Sequence, residues 1–220
     1  MPVIEIINVL KIGKEKLAEE LINEGHLKTT SIIAAFRKID RADVVPENLQ
    51  NEAYGNYPLP IGFGQTISQP LTVAFMLELL QPRVGEKILD IGSGSGWQTA
   101  LLAFIVGRKG GGKVIAVERI KELFEMTVAN VSKYNFIEKG IVRTVLGDGS
   151  DGFPEEAPFD KIIAAAAGES LPYAWKKQLK TGGLIVAPIE NSIFVFEKVS
   201  ENNFKEEEYQ GFSFVPLVKN

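Results

Sequence analysis

Short apolar runs that end at glycine or an acid, mostly separated by helix-length stretches, constrain this chain more than any other feature. "KILDI" (87–91), "KVIAVE" (113–118), "IVRTVLGDG" (141–149), "DKIIAAAA" (160–167) and "GLIVAPI" (183–189) read as strands. "WQTALLAFIVG" (97–107), residues 119–134 and "LPYAWKKQLK" (171–180) read as helices among them. Such alternation implies an α/β fold with a doubly wound, mostly parallel sheet. In such sheets ligands bind beyond the carboxyl ends of the strands, where the strand order reverses. The runs 192–199 and 211–218 have no helix between them and predict an antiparallel pair. There Phe194, Phe196, Phe212 and Phe214 alternate as strand cores do, and Glu206–Glu208 reads as a solvated turn.

The N-terminal part is organised differently. Leu17, Leu21 and Ile22 predict a helix over 14–24 that stops at Gly25, and Ile32, Ile33, Phe36 and Ile39 a second over 29–39 with Thr or Ser at its start as a cap. After a proline-rich loop, Pro70 suits the first turn of a third helix, whose buried side is Val73, Phe75, Met76, Leu79 and Leu80. The stretch Pro60–Pro70, "PIGFGQTISQP", reads as neither helix nor strand. The expected organisation is one compact unit, with residues 1–68 as a helical cap and substrate loop and 69–220 as the core.

Composition narrows the chemistry. Zero cysteines remove disulfides and thiolate metal sites and fit a reducing cytoplasm. One histidine, His26, speaks against a histidine metal site and reads as a helix-end residue. A net charge of −4 argues against a nucleic-acid surface. No apolar run reaches the roughly 18 residues of a membrane span, and the first residues lack the basic start and cleavage site of a signal peptide.

"LDIGSGSGW" sets Gly92, Gly94 and Gly96 between a strand and a helix, where the backbone can turn tightly and helix N–H groups are free. Glu118 ends the next strand roughly twenty residues on, placed to accept hydrogen bonds from ribose hydroxyls. A dinucleotide fingerprint needs its third glycine at position 97, which is Trp97. Asp90, Glu118 and Asp148 lie at or near strand tips, with no Lys or Arg between Ile88 and Gly107. That charge pattern favours a cationic ligand such as S-adenosylmethionine over a pyrophosphate, with Asp148 and Gly149 placed to meet its adenine. A dinucleotide and a structural glycine turn are the alternatives. Trp97 and Trp175 read as packing residues.

"PLPIGFGQTISQP", "ILDIGSGSGWQTALLA", "VIAVERI", "GDG" and the terminal "FVPLV" together resemble the protein-L-isoaspartate O-methyltransferase family from about Leu27 to Val218. "GQTIS" is specific to that family; G-x-G-x-G is shared by many methyltransferases. The resemblance implies a seven-stranded, Rossmann-like sheet with added helices. It also implies methyl transfer from S-adenosylmethionine to the α-carboxylate of L-isoaspartyl residues in damaged proteins, followed by succinimide closure. Ser68 carries over as the active-site residue, and Gln65, Thr66 and Ile67 as lining of the cofactor and substrate pocket; Asp90, Gly92, Ser93, Gly94, Gly96, Glu118, Asp148 and Gly149 complete the cofactor set. A monomer without metal, nucleic acid or membrane partners is expected.

A carboxylate acceptor suits a chain with one histidine, because its pKa of about 4 leaves it ionised without a base. Correct orientation alone can then supply roughly 7–11 kcal/mol. A carboxyl methyltransferase of the same fold with another acceptor, and a non-catalytic binding module, remain as rivals. The chain departs from the family pattern at Gly168-Glu169, at Ser213 and at Leu71-Thr72.

Overall fold

The computed structural model describes residues 3–218. Helices α1 (Val3–Asn23) and α2 (Thr30–Lys38) lead through two 3₁₀ turns, Arg41–Asp43 and Glu47–Glu52, into a hairpin of β1 (Leu59–Gly62) and β2 (Gln65–Ile67), then α3 (Pro70–Leu80). The alternating part follows as β3 (Lys87–Ile91), α4 (Trp97–Val106), β4 (Lys113–Glu118), α5 (Lys121–Ser132), β5 (Val142–Leu146), β6 (Phe159–Ala164), α6 (Tyr173–Gln178) and β7 (Leu179–Ile189). β8 (Ser192–Ser200) and β9 (Asn203–Gln210) close the sheet.

The seven strands lie in the order β5-β4-β3-β6-β7-β8-β9, parallel from β5 to β7 and antiparallel at the two β7–β8–β9 junctions. The expected doubly wound sheet is present, and its order reverses between β3 and β6. Period-two alternation drives its two faces. Ile88, Val114, Ala116 and Ile163 join one core with the helices of the N-terminal part, α3, α4 and α5, whereas Leu89, Ile115, Val117 and Ile162 join another with Phe159 and Trp175. Helix α4 is apolar apart from Gln98 and Thr99, and nine of its ten residues are buried, because the sheet, α2 and α5 enclose it.

Four expectations change. The first helix begins at Val3 rather than residue 14. Thr29 makes no cap bond; its hydroxyl donates to Glu78 Oε2 at 2.6 Å, while Glu78 Oε1 accepts from the Lys28 and Thr29 amides. Part of Pro60–Pro70 is a hairpin, turned by Phe63 (φ 54°) and Gly64 (φ 71°), the positive-φ pair that two-residue hairpin loops require. Its strands are too short to show a period.

The fourth change matters most for the site. The last strand is 203–210 rather than 211–218, so Glu206–Glu208 is in a strand, paired with Phe196, Val195 and Phe194. An edge strand tolerates these charges, which also deter pairing with other sheets. Gly211, at φ 93°, ends the ladder. The apolar segment beyond it folds back over the strand tips, where Ala167 and Leu217 amides donate to Val215 and Ala167 carbonyls at 2.8 and 2.7 Å.

Candidate active site

The glycine loop is built by three left-handed residues, Gly92 (φ 77°), Gly94 (φ 54°) and Gly96 (φ 79°). The Gly92 and Ser93 amides donate to Val117 O, tying the loop to β4. Helix α5 holds it from behind: Thr127 Oγ1 donates to Gly94 O at 2.8 Å and Asn130 Nδ2 to Ser95 O at 2.9 Å, with the Ser93 hydroxyl 2.9 Å from Thr127 Oγ1. A Cβ at Gly96 would stand 3.1 Å from Val131 Cγ2, so this glycine allows α5 to approach. Gly92 and Gly94 instead line a cleft whose empty space, open to solvent on one side, is about 660 Å³.

The three acids have separate duties. Glu118 lines this cleft; its Oε2 accepts from the Gly94 amide at 3.0 Å, and its Oε1 from the Arg119 and Ile120 amides at 2.9 and 3.0 Å. Asp90 lies wholly buried beneath the loop, accepting from Gln98 Nε2 at 2.8 Å and Thr99 Oγ1 at 2.6 Å. Asp148 caps its own 3₁₀ turn by accepting from the Ser150 amide, while the cleft wall there is Gly147 and Gly149. A Cβ at Gly149 would fall 2.5 Å from Ile91 Cγ2, and Gly149 O accepts from Trp175 Nε1 at 2.8 Å. Trp175 is therefore both packing and anchor.

Burial pushes the Asp90 carboxyl up to about 6 from 3.8, opposed by the Thr99 and Gln98 hydrogen bonds and assisted by the negative charge of Glu118. A carboxyl raised on folding holds its proton more tightly in the native state. Its contribution is therefore full below about pH 4 and is lost as pH rises through about 6, a change of about 3 kcal/mol. Urea titrations of the wild type and Asp90→Asn between pH 4.5 and 7 are expected to diverge, the wild type gaining stability relative to the variant as pH falls. Parallel pH–stability curves would contradict this environment for Asp90.

The hairpin and the turn after it bring the "GQTIS" residues to the strand tips. Gln65 and Thr66 line the 660 Å³ cleft; Thr66 and Ser68 also line a second, wider cleft, with Leu71, Thr72 and Ser213. Ile67 is buried, facing a small cavity between this turn and the glycine loop that Thr66, Ser68, Ser93 and Trp97 share. Thr66, Ala165 and Val215 line both large clefts. Ser68 does not cap α3: Gln69 is the N-cap, and the Leu71 amide donates to Asn56 Oδ1 at 3.0 Å.

Several residues reach the clefts without any sequence signal for that position. Ala165 follows β6, and its amide donates to Ile91 O at 2.9 Å across the point of strand reversal. Val215, Pro216 and Leu217 roof the first cleft, and Phe212 and Phe214 wall the second instead of filling a strand core. Arg119 adds a cation to a wall that the charge pattern left purely acidic. Of the departures from the family pattern, Ser213, Leu71 and Thr72 face the wider cleft, whereas Glu169 is exposed and lines neither. His26 lies beside Glu24 at the end of α1 and lines neither. Among the described residues no cluster of three metal-ligating side chains occurs.

A parallel sheet that reverses at a glycine loop, with an acid on the neighbouring strand tip, is a Rossmann-like nucleotide-binding arrangement, and the family match narrows the class to S-adenosylmethionine-dependent methyltransferases. A Plasmodium falciparum chain solved in complex with S-adenosyl-L-homocysteine shares this fold at a TM-score of 0.84 and 24% identity, covering 94% of this chain and 99% of its own. The family model described as Protein-L-isoaspartate(D-aspartate) O-methyltransferase matches residues 12–220. The Methanopyrus kandleri protein-L-isoaspartate O-methyltransferase is 39% identical over 214 residues, 96% of this chain and 93% of its own. Protein-L-isoaspartate O-methyltransferase 2 of Archaeoglobus fulgidus is 42% identical over 207 residues, 93% and 92%. The chain belongs to the protein-L-isoaspartate O-methyltransferase family.

Proposed function

We infer that the protein transfers a methyl group from S-adenosylmethionine to the α-carboxylate of L-isoaspartyl residues in damaged proteins, initiating their repair through a succinimide. The observation that carries this reading is the wall that the two large clefts share, made of Thr66, Ala165 and Val215 and flanked by Ser68. When bound, S-adenosylmethionine supplies a methyl group on a positively charged sulfur, which an acceptor carboxylate takes up.

The chain's own residues do the positioning. Gly92, Ser93, Gly94 and Ile67 form the floor of the donor site, Glu118 accepts from ribose hydroxyls, and the Asp148–Gly149 turn meets the adenine. Gly96 and Asp90 act from beneath, one by seating the loop on α5 and the other by its charge. Gln65, Thr66 and Ser68 hold the acceptor carboxylate through neutral donors, which orient it without quenching its nucleophilicity as a bidentate arginine would. The segment 212–217 keeps water off the shared wall.

Residues 1–68 are read as the cap and acceptor loop and 69–220 as the donor-binding core; residues 1, 2, 219 and 220 lie outside the described stretch. No described helix is long and apolar enough to cross a membrane. A cytoplasmic monomer that binds neither nucleic acid nor membrane is the companion reading, supported by the net charge of −4 and the absence of cysteine. Ser213 in the wider cleft favours, as the second reading, an altered acceptor on the same fold.

Paired peptides differing only in isoaspartate or aspartate, incubated with labelled S-adenosylmethionine, test the function. Base-labile methylation of the isoaspartyl peptide alone is expected. Equal labelling of both peptides, or a base-stable product, would overturn the repair reading.

A further inference from the structure

Arg41 is an arginine that neither the glycine loop nor the "GQTIS" stretch includes, yet it joins them. It opens the 3₁₀ turn after α2 and is only 2% exposed. Its NH1 donates to Ala53 O at 2.8 Å and Gly55 O at 3.4 Å, and its NH2 to Tyr57 O and Ser68 O, both at 3.1 Å. The guanidinium carbon stands 5.3 Å from the ring centroid of Trp97, the first residue of the helix that leaves the glycine loop. No carboxylate pairs with Arg41 among the described residues; four backbone carbonyls and an indole face surround it. Desolvation by this burial lowers its pKa to about 10, so it remains a cation at neutral pH.

We propose that Arg41 is a positioning residue for methyl transfer: its planar fork fixes the Ser68 backbone relative to the glycine loop, and its unpaired charge draws the acceptor carboxylate toward the Ser68 turn. This rests on the function inferred above and extends it. The fork matters because two groups of carbonyls, on the 53–57 loop and on Ser68, are held by two terminal nitrogens in one plane. Lysine keeps the charge but offers a single nitrogen without that plane. The charge matters because Arg41 acts through the Ser68 carbonyl, so it attracts an anion without itself gripping the reacting oxygens. One side chain would thus supply orientation by geometry and capture by charge, and the two parts are separable.

Steady-state kinetics with an isoaspartyl peptide separate them. Arg41→Lys is expected to lower kcat between about tenfold and 100-fold, the scale of a small misplacement of reacting groups, with KM for the peptide within about threefold. Arg41→Met, which loses fork and charge together, is expected to lower kcat as far and also raise KM about tenfold. The dissociation constant for S-adenosyl-L-homocysteine, read by calorimetry, should stay within about threefold for both. Hydrogen exchange on Arg41→Lys should show faster exchange at residues 65–69, with β3 and β4 unchanged.

A folded Arg41→Lys with wild-type kcat, or unchanged exchange at 65–69, would overturn the proposal. Loss of cofactor affinity matching the loss of kcat would do the same, and so would unfolding of both variants, which would leave Arg41 a purely structural group. Should the wild type methylate neither peptide, the function inferred above fails instead, and exchange at 65–69 still reports on the fork.

Discussion

Replacing Ser68 with alanine is expected to lower kcat for an isoaspartyl peptide by roughly 10–100-fold, while the dissociation constant for S-adenosylmethionine moves less than about threefold. A hydrogen bond to a charged group is worth about 1.5–3 kcal/mol, which sets that scale. The asymmetry follows from where Ser68 sits. It lines the wider cleft and the small cavity beside the glycine loop, and does not line the 660 Å³ cleft with Glu118. Its hydroxyl is also not spent on helix capping, because Asn56 performs that task for α3. The fold should therefore survive the substitution, with a melting temperature near that of the wild type. Calorimetry and initial rates on the same preparation decide the matter, and a loss confined to cofactor affinity would remove Ser68 from the acceptor side.

The second large effect is expected at Glu118. Glu118→Ala should weaken S-adenosylmethionine binding by about 10²–10⁴-fold, since two charge-assisted hydrogen bonds to ribose would be lost. It should also destabilise the apo protein, because the Gly94, Arg119 and Ile120 amides all donate to this carboxylate. Glu118 is 6% exposed and bridges the glycine loop and the start of α5. Glu118→Gln keeps acceptor capacity at one oxygen and is expected to fall between, near tenfold. Equal affinities of the wild type and Glu118→Ala, measured by calorimetry, would dismiss the ribose role and leave only the structural one. The two variants together separate donor from acceptor: Ser68→Ala acts on turnover and Glu118→Ala on binding.

Much of this was legible in contiguous residues. The strand–helix alternation, the glycine loop after β3 and the acid ending β4 each depend on the local period or on turn-forming residues, whereas residues 65–68 stand out only by their resemblance to a family motif. The C-terminal end was misread for a local reason as well. Phe212 and Phe214 continue the alternation of Phe194 and Phe196, so the apolar pattern favours them over the polar 203–210 stretch that forms the edge strand. A tight turn at Glu201–Asn202 makes that nearer stretch the pairing partner, since closing a short loop costs less entropy than a longer one.

By itself, the order of residues determined that this chain winds a parallel sheet around a glycine turn and sets an acid on the neighbouring strand tip. Tertiary structure alone decided that Asp90 lies beneath that turn while Glu118 faces the cleft. It also decided that residues 212–217 roof both clefts and that Arg41 ties Ser68 to Trp97. The physical reason is range. Periodicity and turn chemistry act over a few neighbouring residues, whereas those arrangements join segments far apart in the chain and exist only once the sheet order has brought them together.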